Sequence, residues 1–539
     1  MNFRTKSFVA AAVALVAQAA GAATTIDQPS VVLFGGGATF PINAYVGDSW
    51  LDSVPNRRLS NTLPPAAGAK LNSNAASKSS LFIEYALSTA ASGTATQKAG
   101  RVGVSYCQGG SGVGRGVIIN TLNATAACGD YGTGTPLGIS GSARKGDFGG
   151  SDAPLAQSDI TAFNTSAGTP AQNYGDLYSQ PVQIPAVAGS IAVVYNNVDL
   201  GKNQLVLTRS DICGIFSGQI TNWNQLTHTP KAAAIASKPI KVITRSDSSG
   251  TTFSFTNFLS AACPTVGAQP GGTAVTGFKT VNTFSGGLPT GATLPAGSAA
   301  VSGNGSIVTT VAATDGAIGY ADVADTVSRS KRSGGSNLKF SLVAYAADIP
   351  KGTPSVIAPG GANVTCPGGQ LITASATKAV KYTCPAVVYN KLSPQKNLLA
   401  KGATGLTVNA SLDKVLGAND ANGRPTPVDV TGLSGTALPG CLLTVLPDDY
   451  AQPAVAATKK APNDFATYPI VAVSYLLATG LGNGSKLADL QSFLAAPFNS
   501  AVLAKVKTVG KTTGFAPLTV KVGGSPATMS TIINTCVRG

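Results

Sequence analysis

The chain has 539 residues, 43% of them hydrophobic, with a mean hydropathy of +0.19, enough to bury a sizeable core and too apolar for a disordered polymer. Its 63 glycines and 32 prolines indicate many turns but no collagen-like or low-complexity composition, and the length suggests two or three domains. Charged residues make up only 11%, and the net charge of +15 reflects 38 basic against 23 acidic residues rather than dense cationic runs, which argues against nucleic-acid binding and for a mild attraction to small anions.

At the N-terminus, Arg4 and Lys6 precede an apolar run from Phe8 to Ala20, followed by Ala20-Gly21-Ala22 as a small-x-small cleavage site. This predicts a signal peptide over residues 1–22, cleaved near Ala22, and a periplasmic or secreted address. No later run of about 20 apolar residues follows, which predicts a soluble mature chain, and no Cys adjoins the cleavage region to take a lipid.

From Val31 a theme recurs: a short apolar run, a Gly/Ser/Thr turn, then a segment of helical period. Val31-Val32-Leu33-Phe34 leads into Gly35-Gly36-Gly37-Ala38-Thr39-Phe40-Pro41, and Arg101 to Tyr106 alternates as a strand before Gln108-Gly109-Gly110-Ser111-Gly112. Pro239 to Thr244 predicts a strand ending in Arg245-Ser246-Asp247-Ser248-Ser249-Gly250-Thr251-Thr252. Phe255, Phe258, Leu259 and Ala262 then mark the buried face of a helix. Strands alternating with helices imply an α/β architecture with a largely parallel sheet, in which ligands sit beyond the carboxyl ends of the strands. Two regions break the theme. Leu51 to Gly100 reads as a surface excursion, and Asp325 to Pro462 as a β-rich or loop-like insert with runs such as Ala379–Tyr382 and Ala386–Tyr389. Helical period returns near Tyr468-Pro469-Ile470-Val471.

Eight cysteines, Cys107, Cys128, Cys213, Cys263, Cys366, Cys384, Cys441 and Cys536, predict disulfides in an exported chain. Nearest-neighbour pairing gives 107–128, 213–263, 366–384 and 441–536, one of many connectivities the sequence allows. With no Cys-x-x-Cys and a single histidine, His228, neither a metal site nor a cofactor is expected.

Turns of small polar residues at strand-to-helix junctions aim free N–H groups and the positive helix end at whatever lies there. Four occur: Ala38-Thr39-Phe40, Gly110-Ser111-Gly112, Gly150-Ser151-Asp152-Ala153 and Ser249-Gly250-Thr251. Each alone is ordinary N-capping; together they describe a pocket of neutral donors around a small anion. Arg245 adds a planar fork suited to a tetrahedral oxyanion, with Asp247 placed to hold it, although such a pair is also a common surface salt bridge. Asp152 would repel an anion unless the anion has a proton to give, which hydrogen phosphate has near neutral pH and sulfate lacks. A fixed acceptor there would select phosphate.

These residues resemble the exported phosphate-binding subunit of phosphate ABC transporters. The likeness lies in Gly37-Ala38-Thr39-Phe40-Pro41, Asp147-Phe148-Gly149-Gly150-Ser151-Asp152-Ala153-Pro154-Leu155 and Arg245-Ser246-Asp247-Ser248-Ser249-Gly250-Thr251. Gln183 to Gly189, Gly316 to Tyr320 and Gly514 to Leu518 add to it. Gly35 to Thr39, Ile212 to Gly218, Ser248 to Thr252 and Phe284 to Pro289 are similar to its DING branch. The resemblance spans about Val31 to Tyr320 and resumes at Tyr468.

It implies a two-lobed type II periplasmic-binding-protein fold (a venus flytrap) with an inserted β-rich or loop region. Lobe 1 would comprise 23–195 plus 463–539 and lobe 2 residues 196–319, with 320–462 returning to lobe 1 and then forming the insert. It implies phosphate ligands at Thr39, Phe40, Ser111, Asp152, Arg245, Ser249, Gly250 and Thr251, with Asp247 orienting Arg245, and a Cys213–Cys263 bridge of the DING kind. The expected chain is a monomer that captures inorganic phosphate and passes it to a membrane permease. The competing functions are a secreted phosphate-ester hydrolase, for which no Gly-x-Ser-x-Gly elbow or histidine partner is present, and a surface or adhesion protein with a phosphate site.

Overall fold

The computed structural model describes residues 24–27, 31–47, 70–73, 80–88, 103–119, 146–166, 181–201, 205–226, 237–263, 265–266, 275–326, 339–340, 342–344, 355–365, 371–382, 389–390, 406–430, 440–451, 470–509 and 514–539. The expected signal peptide, His228 and the pairings 107–128 and 366–384 lie outside the described residues.

The fold is mixed α/β. Its strands are β1 (Val31–Gly37), β2 (Gly103–Gln108), β3 (Phe148–Ser151), β4 (Pro181–Asn196), β5 (Lys241–Arg245), β6 (Ala299–Val301), β7 (Ala317–Asp322), β8 (Leu406–Leu412), β9 (Lys414–Asn419), β10 (Pro425–Asp429), β11 (Leu443–Val445), β12 (Val471–Thr479) and β13 (Phe515–Val522). The helices that matter for the site are α1 (Ser111–Ile119), α2 (Arg209–Phe216), α3 (Gly250–Ala262), α4 (Asn304–Ala313), α5 (Pro447–Ala451) and α6 (Met529–Cys536).

Most of these strands belong to a 13-stranded sheet whose main path runs β6-β5-β7-β4-β12-β3-β1-β2. β4 organises it. All 16 of its residues are buried, as its largely apolar sequence fits in a strand covered on both faces. Its first ten residues, 181–190, pair antiparallel with β12, and the rest, from Ile191, pair antiparallel with β7. One continuous strand thus joins two groups of parallel strands, β2-β1-β3 on one side and β7-β5-β6 on the other.

The sheet is therefore mixed rather than largely parallel. The long strand and its return partner β12 meet antiparallel in the centre, and the alternating strand–helix pattern reports only the two flanks. Three further expectations are corrected. The apolar run at Ile470–Val471 opens the buried strand β12 rather than a helix, since a continuous apolar run fits either element and burial on both faces settles it. In the 51–100 region, the helix Leu81–Ser88 is no surface excursion: Leu81, Phe82 and Tyr85 are in the core, and Phe82 packs among Tyr45, Tyr106, Phe148 and Phe493. Much of the expected insert is woven in as well. β8 pairs parallel with β13 and antiparallel with β11, and Val408, Ala410, Val415 and Leu443 join the core.

Two disulfides lie among the described residues. Cys213–Cys263 ties α2 to the end of α3, and Cys441–Cys536 ties the segment before β11 to α6.

Backbone contact seats α1 on the sheet. A Cβ at Gly114 would lie 1.9 Å from the Gly150 carbonyl oxygen, and one at Gly37 would lie 2.1 Å from the same atom. That oxygen also accepts the Ala38 N–H at 2.8 Å, so it cannot retreat without loss. Replacing Gly114 with alanine should push α1 off β3, cost about 1–3 kcal/mol of stability in a denaturant titration, and displace Ser111 at the helix start.

Candidate functional site

Arg245 ends β5 and is only 2% exposed. A buried guanidinium needs acceptors for all five of its N–H groups, and each has one. Nε donates to Asp247 Oδ1 at 2.7 Å, and Nη2 to Asp247 Oδ2 and, at 3.2 Å, to Thr39 Oγ1. Nη1 donates to Asn304 Oδ1 at 3.1 Å and to Thr251 Oγ1 at 3.4 Å. Burial pushes the Asp247 carboxyl up, but the Arg245 guanidinium, helped by the Gly303 N–H, outweighs it and holds the group below the ordinary carboxylate range. The pair is thus a buried, charged fork rather than a surface salt bridge.

Ser111 sits at the start of α1. Its Oγ accepts the main-chain N–H groups of Asp152 and Gly250, both at 3.0 Å, and donates to Asp152 Oδ2 at 3.3 Å. The Ser111 hydroxyl therefore ties its own turn to two other predicted site residues, Asp152 and Gly250, in two further turns. Gly250 must be glycine here, because a Cβ would lie 2.4 Å from Ser111 Oγ and 2.6 Å from Asp152 Cβ.

Asp152 is 1% exposed, and among the described residues its Oδ1 has no hydrogen-bond partner. Burial pushes its carboxyl up to about 7, against the pull of Ser474, Arg245 and Ser111. A carboxyl of this kind exchanges a proton near neutral pH.

The remaining predicted residues converge as well. Thr39 and Thr251 meet around Arg245. Ser249 caps α3, its Oγ accepting the Thr252 N–H at 3.1 Å. The Phe40 ring is buried edge-on against Phe515, so only its main chain is available to a ligand. The Ala38 carbonyl beside them is held by the Tyr106 hydroxyl at 2.8 Å.

One residue escaped the sequence reading. Asn304, the first residue of α4, donates from Nδ2 to Thr251 Oγ1 at 3.1 Å and to Thr39 Oγ1 at 3.4 Å. Its signal was the grammar used for the other four turns: β6 is followed by Ser302-Gly303-Asn304-Gly305, small polar residues opening a helix.

Three helices, α1, α3 and α4, thus begin at residues that touch this cluster. Their N-terminal partial charges and the guanidinium make the site attractive to an anion, while Asp152 supplies one acidic acceptor. Among the described residues, no group of three or more His, Cys, Asp or Glu side chains is placed to hold a metal ion.

Several known proteins are similar to this chain. Alkaline phosphatase L of Pseudomonas aeruginosa is 35% identical over 217 residues, 40% of this chain and 48% of its own length. A phosphate-binding protein from an unknown prokaryotic organism is 35% identical over 159 residues, 30% of this chain and 36% of its own length. The phosphate-binding protein PstS 3 of Mycobacterium tuberculosis is 36% identical over 145 residues, 26% and 34% respectively. The chain spans about half or less of the length of these curated relatives. Among solved structures, the high-affinity periplasmic phosphate-binding protein PfluDING superposes with a TM-score of 0.49 at 19% identity, covering 93% of this chain and 92% of that one. A phosphate-binding protein from Stenotrophomonas maltophilia superposes with a TM-score of 0.46 at 20% identity, covering 94% and 93%. The PBP superfamily domain matches residues 77–358, more than half of the sequence, and this chain belongs to that superfamily.

Proposed function

We propose that this chain is an exported binding protein that captures hydrogen phosphate in the cluster around Arg245. The observation that carries the reading is the pairing of a buried guanidinium, braced by Asp247, with a buried acid, Asp152, whose Oδ1 has no hydrogen-bond partner among the described residues. A fully ionised tetrahedral anion has nothing to offer that oxygen; hydrogen phosphate offers its proton. The Arg245 contacts to Thr39 and Thr251, at 3.2 and 3.4 Å, are long and between a cation and neutral oxygens, so phosphate oxygens would replace them favourably. Thr39, Thr251, Ser249 and the main chain of Phe40 and Gly250 would complete the cage, with Ser111 holding Asp152 and Gly250 in register.

The strand groups β2-β1-β3 and β7-β5-β6 would act as two lobes closing on the ligand, with boundaries near 195 and 319, and closure would be what a membrane permease reads. The two disulfides fit a periplasmic or secreted location.

A phosphate-ester hydrolase is the second reading, favoured by the alkaline phosphatase L name of the 35%-identical relatives. Its best nucleophile is Ser111, which donates to an acid poised near neutrality. The same oxygen already accepts two N–H bonds that draw electron density from it, which favours binding over attack.

Calorimetry should therefore give one-to-one phosphate binding with little heat from sulfate. Arg245→Ala should weaken phosphate binding by roughly a hundredfold or more, since it strands Asp247 as well as removing the fork. Asp152→Asn should lower the phosphate-to-sulfate affinity ratio by roughly tenfold or more. Turnover of an aryl phosphate well above that of the Arg245 variant would instead favour the hydrolase.

A pH dependence follows for the ligand-free chain. Asp152, at about 7 folded against 3.8 unfolded, holds its proton more tightly in the folded state. Its contribution to stability is full below about pH 4 and is lost as the pH rises to about 7. In phosphate-free buffer, the Tm of the unaltered chain should fall relative to Asp152→Asn across that window and run parallel to it above.

A further inference from the structure

We infer that Asn304 is a positioning residue that fixes Thr39 and Thr251 as hydrogen-bond donors to the bound anion. This inference rests on the phosphate-binding reading and assigns the polarity of that site. The orientation of the amide follows from its neighbours. Arg245 has only donors, so the group facing Nη1 at 3.1 Å is the amide oxygen, and the Asn304 nitrogen must face the two threonines.

An amide nitrogen has two hydrogens and no acceptor, and here one hydrogen serves each threonine. A hydroxyl that accepts from Asn304 and from Arg245 has both lone pairs engaged. Its own proton then has no place on either neighbour and turns into the site. When an anion replaces the long Arg245–threonine contacts, the amide contacts remain. They are what keeps Thr39 and Thr251 from turning round and presenting lone pairs to a negative guest. Asn304 is itself buried, so no water competes for the role.

Thr39 lies at the end of β1 and Thr251 at the start of α3, and the Asn304 amide spans them from a third turn. A residue that merely filled space there would leave the hydroxyl protons free to rotate.

The test is a double-mutant cycle read by phosphate calorimetry on the full chain, with Asn304→Ala, Thr251→Val and the pair. Each single change should weaken phosphate binding about tenfold or more, and the pair should lose little beyond Thr251→Val for the part routed through that hydroxyl. Asn304→Asp, of nearly equal size, keeps an acceptor for Arg245 but turns the donor into an acceptor. It should bind phosphate more weakly than Asn304→Ala while keeping a native far-UV spectrum. Independent losses that multiply in the pair, or phosphate affinity unchanged in both Asn304 variants, would overturn the role of Asn304 and leave the phosphate site standing. Absence of phosphate binding by the unaltered chain would remove the site reading itself, and this role with it.

Discussion

A guanidinium withdrawn from water must have all of its N–H groups answered, and the interior around Arg245 is arranged to do this. The cost of desolvating such an ion is several kcal/mol unless paired charge and hydrogen bonds offset it. Asp247 lies two residues away and supplies the charge, but a local carboxylate reaches only one edge of the fork. The other edge is met by Thr39, Thr251 and Asn304, from three different turns separated by more than two hundred positions at the extreme. A chain that failed to bring these turns together would leave a cation buried and unanswered. The site is thus a condition of the fold as much as a product of it.

The turns are held by what lies beneath them. On one flank, Tyr45, Phe82, Tyr106, Phe148 and Phe493 form a continuous set of ring contacts, and the Tyr106 hydroxyl reaches from it to the Ala38 carbonyl. On the other, Phe216, Phe255, Phe284 and Tyr320 do the same. The Tyr320 hydroxyl meets Thr252 Oγ1 at 2.7 Å and accepts the Arg245 N–H at 3.4 Å. In each flank an aromatic body gives rigidity and its hydroxyl registers one site turn against the core. Where two backbones meet, side chains are absent: Gly37, Gly114 and Gly150 pack against one another without a Cβ between them.

Much of this was legible in the sequence because local and global signals agree at the flanks. Strand, small polar turn and helix recur at 31–45, 103–119 and 241–262, and all the predicted site residues except Asp152 sit in those stretches. What escaped depended on long-range pairing. The antiparallel centre of the sheet is made by β4 and β12, about 290 residues apart, and both are largely apolar and buried on both faces, so neither carries a period that reveals its partner. Asn304 escaped for a different reason. Its turn follows a strand of only three partly exposed residues, so the apolar run that marked the other turns is missing. The burial of the Arg245–Asp247 pair was not legible either, since what covers it comes from Thr39, Asn304 and the Gly110 turn.

The middle of the chain helps to set the geometry around Arg245 without contributing a residue to that cluster. α3 carries Ser249–Thr251 at its start, yet farther along it buries Thr256, Asn257 and Ser260, polar side chains that an ordinary surface helix would leave in water. Their partners come from the β9–β10 turn, from α5 and from residues 280–281, as buried polar groups require. Arg424, beside the β9–β10 turn, donates to the Asn257 carbonyl and side-chain oxygens and to Ser260 Oγ, and is itself paired with Asp448 of α5. Asn257 Nδ2 donates to the Pro447 carbonyl at 2.9 Å, and Thr256 bonds with both main-chain groups of Val281. The Gly423 carbonyl accepts the Thr280 N–H at 2.7 Å, closing the cover. Cys441–Cys536 then anchors the segment leading into β11 and α5 to the C-terminal helix. Polar residues on the buried face of α3 fix its rotation and its position along its axis more sharply than apolar packing would, because each bond has one geometry. The orientation of the helix start, and with it the place of Thr251 beside Arg245, is set from the far end.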